Sequence, residues 1–129
     1  MRICNYDLLE YLHDAMFVSL IFFLDDGGLR RCRLVVSCDE DCGYDAWAGR
    51  VLELLFLDVL LCSGSLLGHT VGPEHINSIS EGLTQGAQES VADMVAHGVG
   101  RPETQLTILL QSGSELALAC SGVEVSVQG

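Results

Sequence analysis

The residues of this chain that could support chemistry fall into two short groups, and the first is His13-Asp14. An imidazole beside a carboxylate is a pairing that general acid–base catalysis uses. The same pair at a junction between a helix and a strand is also typical of a turn, in which the side chains bond to neighbouring backbone groups. We favour the turn. The alternative is a small enzyme or small-ligand-binding protein with its site near these two residues.

The second group is the acidic segment 38–48 (CDEDCGYDAWA), in which Cys38 and Cys42 form a C-x3-C motif. A zinc site needs four ligands, and His69 and His75 do not supply a standard second pair. A calcium loop needs spaced carboxylates around a central glycine, and that spacing is absent. We therefore predict a solvated acidic loop with no metal and no cofactor.

The two groups together supply the candidate binding residues. We predict no catalytic residue, because the chain has no Gly-x-Ser-x-Gly, no phosphate-binding glycine loop and no His-Glu-x-x-His motif. The candidates for binding are His13, Asp14, Asp39, Glu40, Asp41, Asp45 and Trp47.

Acidic residues greatly outnumber basic ones. Eighteen aspartates and glutamates face six basic residues, which gives a formal net charge of −12. A field of that sign repels a phosphate backbone, so the composition argues against nucleic acid as a partner. We expect the basic cluster Arg30, Arg31 and Arg33 to pair with Glu53 on a neighbouring strand rather than with an acidic partner.

The hydropathy pattern indicates neither membrane insertion nor secretion. Asp25, Asp26 and Asp58 interrupt the apolar runs before they reach the roughly 18 residues of a membrane span. Acidic residues also stand where the apolar stretch of a secretion signal would lie. We expect a soluble, cytoplasmic protein whose six cysteines are reduced.

The elements that must position these residues follow from local patterns. Tyr6 to Leu12 has leucines at the spacing of a helical turn, and two apolar runs joined by Asp25-Asp26-Gly27-Gly28 predict a β-hairpin. Further strands are predicted over 50–59 and 60–67. In the central part of the chain, we predict helices over 73–80, opened by proline, and over 88–97.

Residues 82–103 could equally be an ordered insertion or a flexible loop. After them, three alternating segments separated by Ser-Gly pairs predict a meander in which each strand has one buried and one solvated face. The predicted fold is a single domain over 1–129, of the α+β, β-rich class. We expect a curved, mostly antiparallel sheet or open sandwich of six to seven strands with two or three short helices.

Alternation also assigns faces to the strands. The predicted core residues are Leu20, Leu34, Leu54, Phe56, Ile108 and Leu118. An apolar surface is expected on the other side, from Leu55, Leu57, Phe17, Ile21 and Phe23. Because an exposed apolar face usually marks an interface, we expect a homodimer. The competing arrangement is that this face is covered by Ile76, Ile79, Val91, Met94 and Val95.

The order of these parts resembles small uncharacterised bacterial domains, some of which resemble immunity proteins of polymorphic toxin systems. The likeness is carried by Leu12, His13, Asp14, Leu52, Leu54, Phe56, Ile76 and Ile79. It implies a β-rich fold without an established enzymatic activity. We expect a non-catalytic binding protein, most concretely an acidic immunity-type inhibitor of a basic toxin.

Overall fold

The computed structural model describes residues 2–3, 8–64, 74–100 and 102–128. Within them the chain forms nine β-strands, one 3₁₀ helix and one α-helix. The elements are β1 (Arg2–Ile3), the 3₁₀ helix (Leu8–Leu12), β2 (Met16–Leu24), β3 (Arg30–Ser37), β4 (Val51–Leu57), β5 (Leu61–Ser63), β6 (Glu74–Glu81), α1 (Gln85–Ala96), β7 (Thr104–Leu110), β8 (Glu115–Cys120) and β9 (Gly122–Gln128). The predicted β-rich class is confirmed, but the predicted numbers of strands and helices are wrong.

All strands belong to one open antiparallel sheet with the order β1-β9-β4-β3-β2-β6-β7-β8-β5. We call β1-β9-β4-β3-β2 the first half-sheet and β6-β7-β8-β5 the second half-sheet. The two are joined by a short ladder in which Met16 pairs with His75 and Phe17 pairs with Glu74. Within the described residues this ladder spans two residue pairs, and the apolar faces of both half-sheets contribute to one core.

The core lies between the inner faces of the two half-sheets. Side chains from β3, β4 and β9 form a single apolar cluster with side chains from β7 and β8. The predicted core residues Leu34, Leu54, Phe56, Ile108 and Leu118 are confirmed, since each is at most 1% exposed. Leu20 is only half-buried, at the edge of the cluster, so its predicted full burial is wrong.

The outer face of the first half-sheet carries the side chains that alternate with the core. Arg33 and Glu53 form the predicted ion pair there, and the Arg33 guanidinium lies 5.2 Å from the ring centre of Phe23. Leu55 and Leu57 are half-buried on this face. In the described part of the chain, α1 makes its main contacts with β5 and β8, so the predicted helical cover of this face is not found.

A β-bulge in β2 explains why Phe17 faces the core. The register of β2 against β3 shifts between Phe17 and Ser19. Phe17 therefore faces the core and is 8% exposed, although it shares the odd-numbered pattern of Ile21 and Phe23. The prediction that Phe17 contributes to an outer apolar surface is wrong for this reason.

The hairpin between β2 and β3 is confirmed, and Asp25 organises its turn. One carboxylate oxygen of Asp25 accepts hydrogen bonds from the backbone N–H groups of Gly27 and Leu29, both at 2.9 Å. The bond from Leu29 is the main cause that lowers the pKa of Asp25, and the Arg31 guanidinium adds to it. Gly28 adopts φ 80°, a conformation that favours glycine.

Residues 74–81 form strand β6, so the predicted helix over 73–80 is wrong; Pro73 lies outside the described residues. Ile76 and Ile79 are both buried although they are three residues apart. A register shift between Ile76 and Ser78 makes this geometry compatible with a strand. Because of this bulge, two buried residues of a strand have the three-residue spacing that is normally typical of a helix. The predicted strand over 60–67 is observed as β5, and residues 65–67 lie outside the described part.

The predicted helix over 88–97 is confirmed, with its start at Gln85. Ala87 and Val91 of α1 pack against Ala117 and Ala119, so β8 is buried on both faces rather than solvated on one. No helix among the described residues is long and apolar enough to cross a membrane.

The three C-terminal strands do not form the predicted meander. β7 and β8 pair as a hairpin, but β9 crosses to the first half-sheet and pairs with β4 and β1. The Ser121 N–H donates to the carbonyl of Leu57 at 2.8 Å at this crossing. The chain from β8 to β9 therefore connects the two half-sheets a second time.

Candidate functional site

A cleft of about 250 Å³ lies where the 3₁₀ helix meets the loop that follows β3. It is lined by Glu10, Tyr11, His13, Asp14, Ala15, Cys38, Asp39, Asp41, Cys42 and Gly43. We call it the acidic cleft. The fold thus brings together the His13-Asp14 pair and part of the acidic segment, which lie apart in the sequence.

Aromatic packing holds the loop against the 3₁₀ helix. The rings of Tyr11 and Tyr44 are stacked with centres 5.6 Å apart, and Trp47 meets Tyr44 edge-on at 4.9 Å. A Cβ on Gly43 would lie 3.2 Å from the Tyr11 ring, so the loop approaches the helix closely. The Cys42 thiol also donates to the carbonyl of Tyr11 at 3.4 Å. These contacts set the width of the cleft.

Both ring nitrogens of His13 are directed at oxygen atoms. Nδ1 donates a hydrogen bond to the carbonyl of Asn77, and Nε2 lies 3.4 Å from a carboxylate oxygen of Asp14. In this arrangement His13 connects the 3₁₀ helix to the bulge of β6.

Asp14 forms the turn between the 3₁₀ helix and β2, with φ 67°. Its N–H donates to the carbonyl of Ile76 at 2.8 Å, and its own carbonyl accepts from Nδ1 of His75 at 2.8 Å. Its carboxylate accepts from Nε2 of Gln111 at 3.3 Å. Backbone and side chain of Asp14 therefore fix β2, β6 and the turn after β7 relative to one another.

The charge of the acidic cleft is negative. Glu10, Asp14, Asp39 and Asp41 are all exposed carboxylates, and no arginine contributes to the lining. In the described part of the chain, two arginines of β3 are already engaged elsewhere, in the ion pairs Arg31–Asp25 and Arg33–Glu53. A cationic group that enters the cleft therefore meets several carboxylates without internal compensation.

The Cys38 thiol of the cleft is a poor nucleophile and a poor metal ligand. Burial raises the pKa of Cys38 to about 12, and the neighbouring Cys42 adds to this rise. The thiolate, which is the nucleophile and the metal-binding form, is therefore disfavoured at neutral pH. Among the described residues no group of three or more His, Cys, Asp or Glu is arranged to hold a metal ion.

Three of the predicted binding residues do not line the cleft. Trp47 is 2% exposed, which makes it a core residue and corrects its assignment as a binding residue. Glu40 and Asp45 are exposed on the same loop but lie outside the lining. The sequence reasoning missed Glu10 and Tyr11, because their only signal is their position just before His13.

Comparison of this chain with protein-family models, with curated proteins and with solved structures finds no match.

Proposed function

We propose that this protein is a non-catalytic binding protein whose acidic cleft contacts a basic partner protein. Its most concrete form is a cytoplasmic immunity-type inhibitor of a basic toxin. The observation that carries the proposal is the cleft itself, in which four exposed carboxylates surround one opening without an arginine among them. The resemblance to immunity-type domains points in the same direction.

The physical basis is electrostatic complementarity. A protein of net charge −12 attracts a basic partner over distances comparable to the Debye length, which raises the association rate. Tyr11 is 40% exposed at the cleft and supplies an aromatic contact within a polar rim. Aromatic residues of this kind contribute disproportionately to protein interfaces.

The alternative function, a small enzyme or ligand-binding protein near His13 and Asp14, has less support. The bond from Nδ1 of His13 to the backbone of Asn77 and the bond from Gln111 to the carboxylate of Asp14 are contacts within the fold, and they favour a structural role for the pair.

The test is affinity capture from the native host with the wild-type protein and with a variant that carries Asp39→Asn and Asp41→Asn. The matched control carries Glu89→Gln and Asp93→Asn, which removes the same charge from the exposed face of α1. We expect a stoichiometric basic protein to be retained by wild type and control. The cleft variant should bind the purified partner at least about tenfold more weakly, and added salt should weaken all three complexes.

Retention of a partner to the same extent by the cleft variant and the control would contradict the assignment of the cleft. Copurification of a bound small molecule in place of a protein would favour the alternative function.

A further inference from the structure

Cys38 and Cys42 form a thiol pair inside the acidic cleft. The Cys38 thiol donates a hydrogen bond to the sulfur of Cys42, and both residues line the cleft. Cys42 is half-buried there, whereas Cys38 is 5% exposed and belongs to the core. One thiol of the pair is therefore open to a small reagent, and the second thiol lies directly behind it.

A turn of the backbone holds the two cysteines together. The Cys42 N–H donates to the carbonyl of Asp39 at 3.1 Å, which closes a turn over residues 39–42. The Cys38 N–H donates to the carbonyl of Arg50 at 2.8 Å, so the start of the loop is anchored next to β4. Cys38 directly precedes the turn, and the bond between the thiols places both side chains on the same side of it. Two cysteines that meet in this way can be bridged with little movement of the backbone.

We propose that Cys38 and Cys42 are a modification site that closes to a disulfide when a small, positively charged disulfide enters the acidic cleft. The Cys42 sulfur attacks one sulfur of the reagent, forms a mixed disulfide with it and releases the first thiol. The Cys38 sulfur then attacks the sulfur of Cys42 and releases the second thiol. The protein gives up two protons and two electrons in the two steps, and the reagent takes them up as it becomes two thiols.

The second step depends on contact between the cysteines. Burial raises the pKa of Cys38 to about 12, so little of this thiol is ionised at neutral pH. A group held against its target reacts as if it were present at an effective molarity of about 10⁵ M or more. A thiolate of higher pKa is also the stronger nucleophile. Contact with Cys42 therefore offsets the low ionisation of Cys38, although Cys38 is unreactive towards reagents in solution.

Closure of the disulfide removes one of the contacts that set the width of the cleft. The Cys42 S–H donates to the carbonyl of Tyr11 at 3.4 Å, and a disulfide has no S–H to donate. The loop thus loses a bond to the 3₁₀ helix beside the stacked rings of Tyr11 and Tyr44. A looser loop holds Asp39 and Asp41 less firmly, so oxidation should weaken the binding of a basic partner. This effect on binding rests on the proposed function of the cleft, whereas the modification itself does not.

The test is treatment of the purified wild-type chain with cystamine, a small cationic disulfide, followed by alkylation, trypsin and mass spectrometry. Residues 34–50 form one tryptic peptide, flanked by arginines, whose only cysteines are this pair. We expect the peptide to lose the mass of two hydrogen atoms and to escape alkylation. Cys62→Ser removes a half-buried thiol elsewhere in the fold and should react in the same way. Cys38→Ser should stop at a mixed disulfide between Cys42 and one half of the reagent.

The charge of the reagent tests whether the cleft selects it. Cystamine is a cation and oxidised glutathione is an anion at neutral pH, so the carboxylates of the cleft should favour cystamine. The measured quantity is the ratio of the two rates of closure, because any effect of the carboxylates on thiol ionisation cancels in it. Asp39→Asn with Asp41→Asn should lower this ratio at least about threefold. The control with Glu89→Gln and Asp93→Asn should leave it unchanged.

Alkylation of both cysteines of peptide 34–50 after treatment, or a disulfide from either one to another part of the chain, would overturn the modification site and leave the binding function of the cleft untouched. An unchanged ratio in the cleft variant would overturn the positively charged reagent. A closed disulfide in a chain that captures no basic partner would support the modification site and contradict the function proposed for the cleft. With a captured partner, oxidation should weaken binding at least about threefold in wild type but not in Cys42→Ser, whose hydroxyl can still donate to Tyr11. Equal affinity of the oxidised and reduced wild type would overturn the effect on binding.

Discussion

Replacing Phe56 with alanine tests the core between the two half-sheets. Phe56 is fully buried in β4, where it pairs with Cys32 of β3 and Val123 of β9. Truncation removes the ring and leaves a cavity, which should lower the free energy of unfolding by about 3–5 kcal/mol. Because a domain has about 5–15 kcal/mol of total stability, the loss is a large fraction of it.

Urea denaturation followed by circular dichroism measures this loss. With a slope of about 1–3 kcal/mol/M, the midpoint should fall by at least about 1 M at unchanged slope. Leu55→Ala is the matched control, since Leu55 is the preceding residue and lies half-buried on the outer face. It should cost about 1 kcal/mol. A larger loss for Leu55→Ala than for Phe56→Ala would show that the faces of β4 are assigned the wrong way round.

Two further predictions concern a close contact and a buried thiol. A Cβ on Gly64, which has φ 144°, would lie 2.2 Å from the carbonyl oxygen of Glu115, so Gly64→Ala should lower the calorimetric unfolding midpoint by several degrees. Gly86 has open space around it, so the control Gly86→Ala should not lower the midpoint. An unchanged midpoint for Gly64→Ala would refute the close contact. Burial raises the pKa of Cys62 from 9.0 to about 12. The unfolded thiol ionises first, so unfolding free energy should fall as pH rises from about 9 towards 12. Urea midpoints across this range should fall less steeply for Cys62→Ala, and an equal slope would contradict the assignment.

Alternation along the strands made part of this fold predictable. Arg33 and Glu53 occupy outer positions of β3 and β4, and the residues that alternate with them along each strand are buried. This pattern depends only on the pleat, in which successive side chains point to opposite faces. The hairpin at Asp25 was predictable for a similar reason, since its turn is stabilised within a few residues.

The two β-bulges account for errors that periodicity could not avoid. A bulge inserts one residue and reverses the assignment of faces beyond it. In β2 this separates Phe17 from Ile21, and in β6 it places Ile76 and Ile79 on the same side. Neither bulge has a glycine or another local signal in the sequence, so the alternation pattern alone gave a wrong face and a wrong helix.

The acidic cleft was predictable in its residues but not in its assembly. The sequence identifies His13, Asp14, Asp39 and Asp41 as candidate binding residues. It does not show that they lie close together, because the two pairs are far apart along the chain. The contact depends on Tyr44, which stacks on Tyr11 of the 3₁₀ helix, and on the pairing of β2 with β3, which places Met16 opposite Ser37. Tertiary packing of this kind leaves no periodic trace in the sequence.

The crossing of β9 to the first half-sheet has a consequence for synthesis of the protein. β9 pairs along the whole of β4, but the ribosome makes it only after β5 to β8 and α1. A nascent chain that lacks residues 122–128 therefore exposes the edge of β4, and such an edge favours aggregation while folding is incomplete. Binding of a chaperone during translation would protect this chain most in the interval between the emergence of β4 and that of β9.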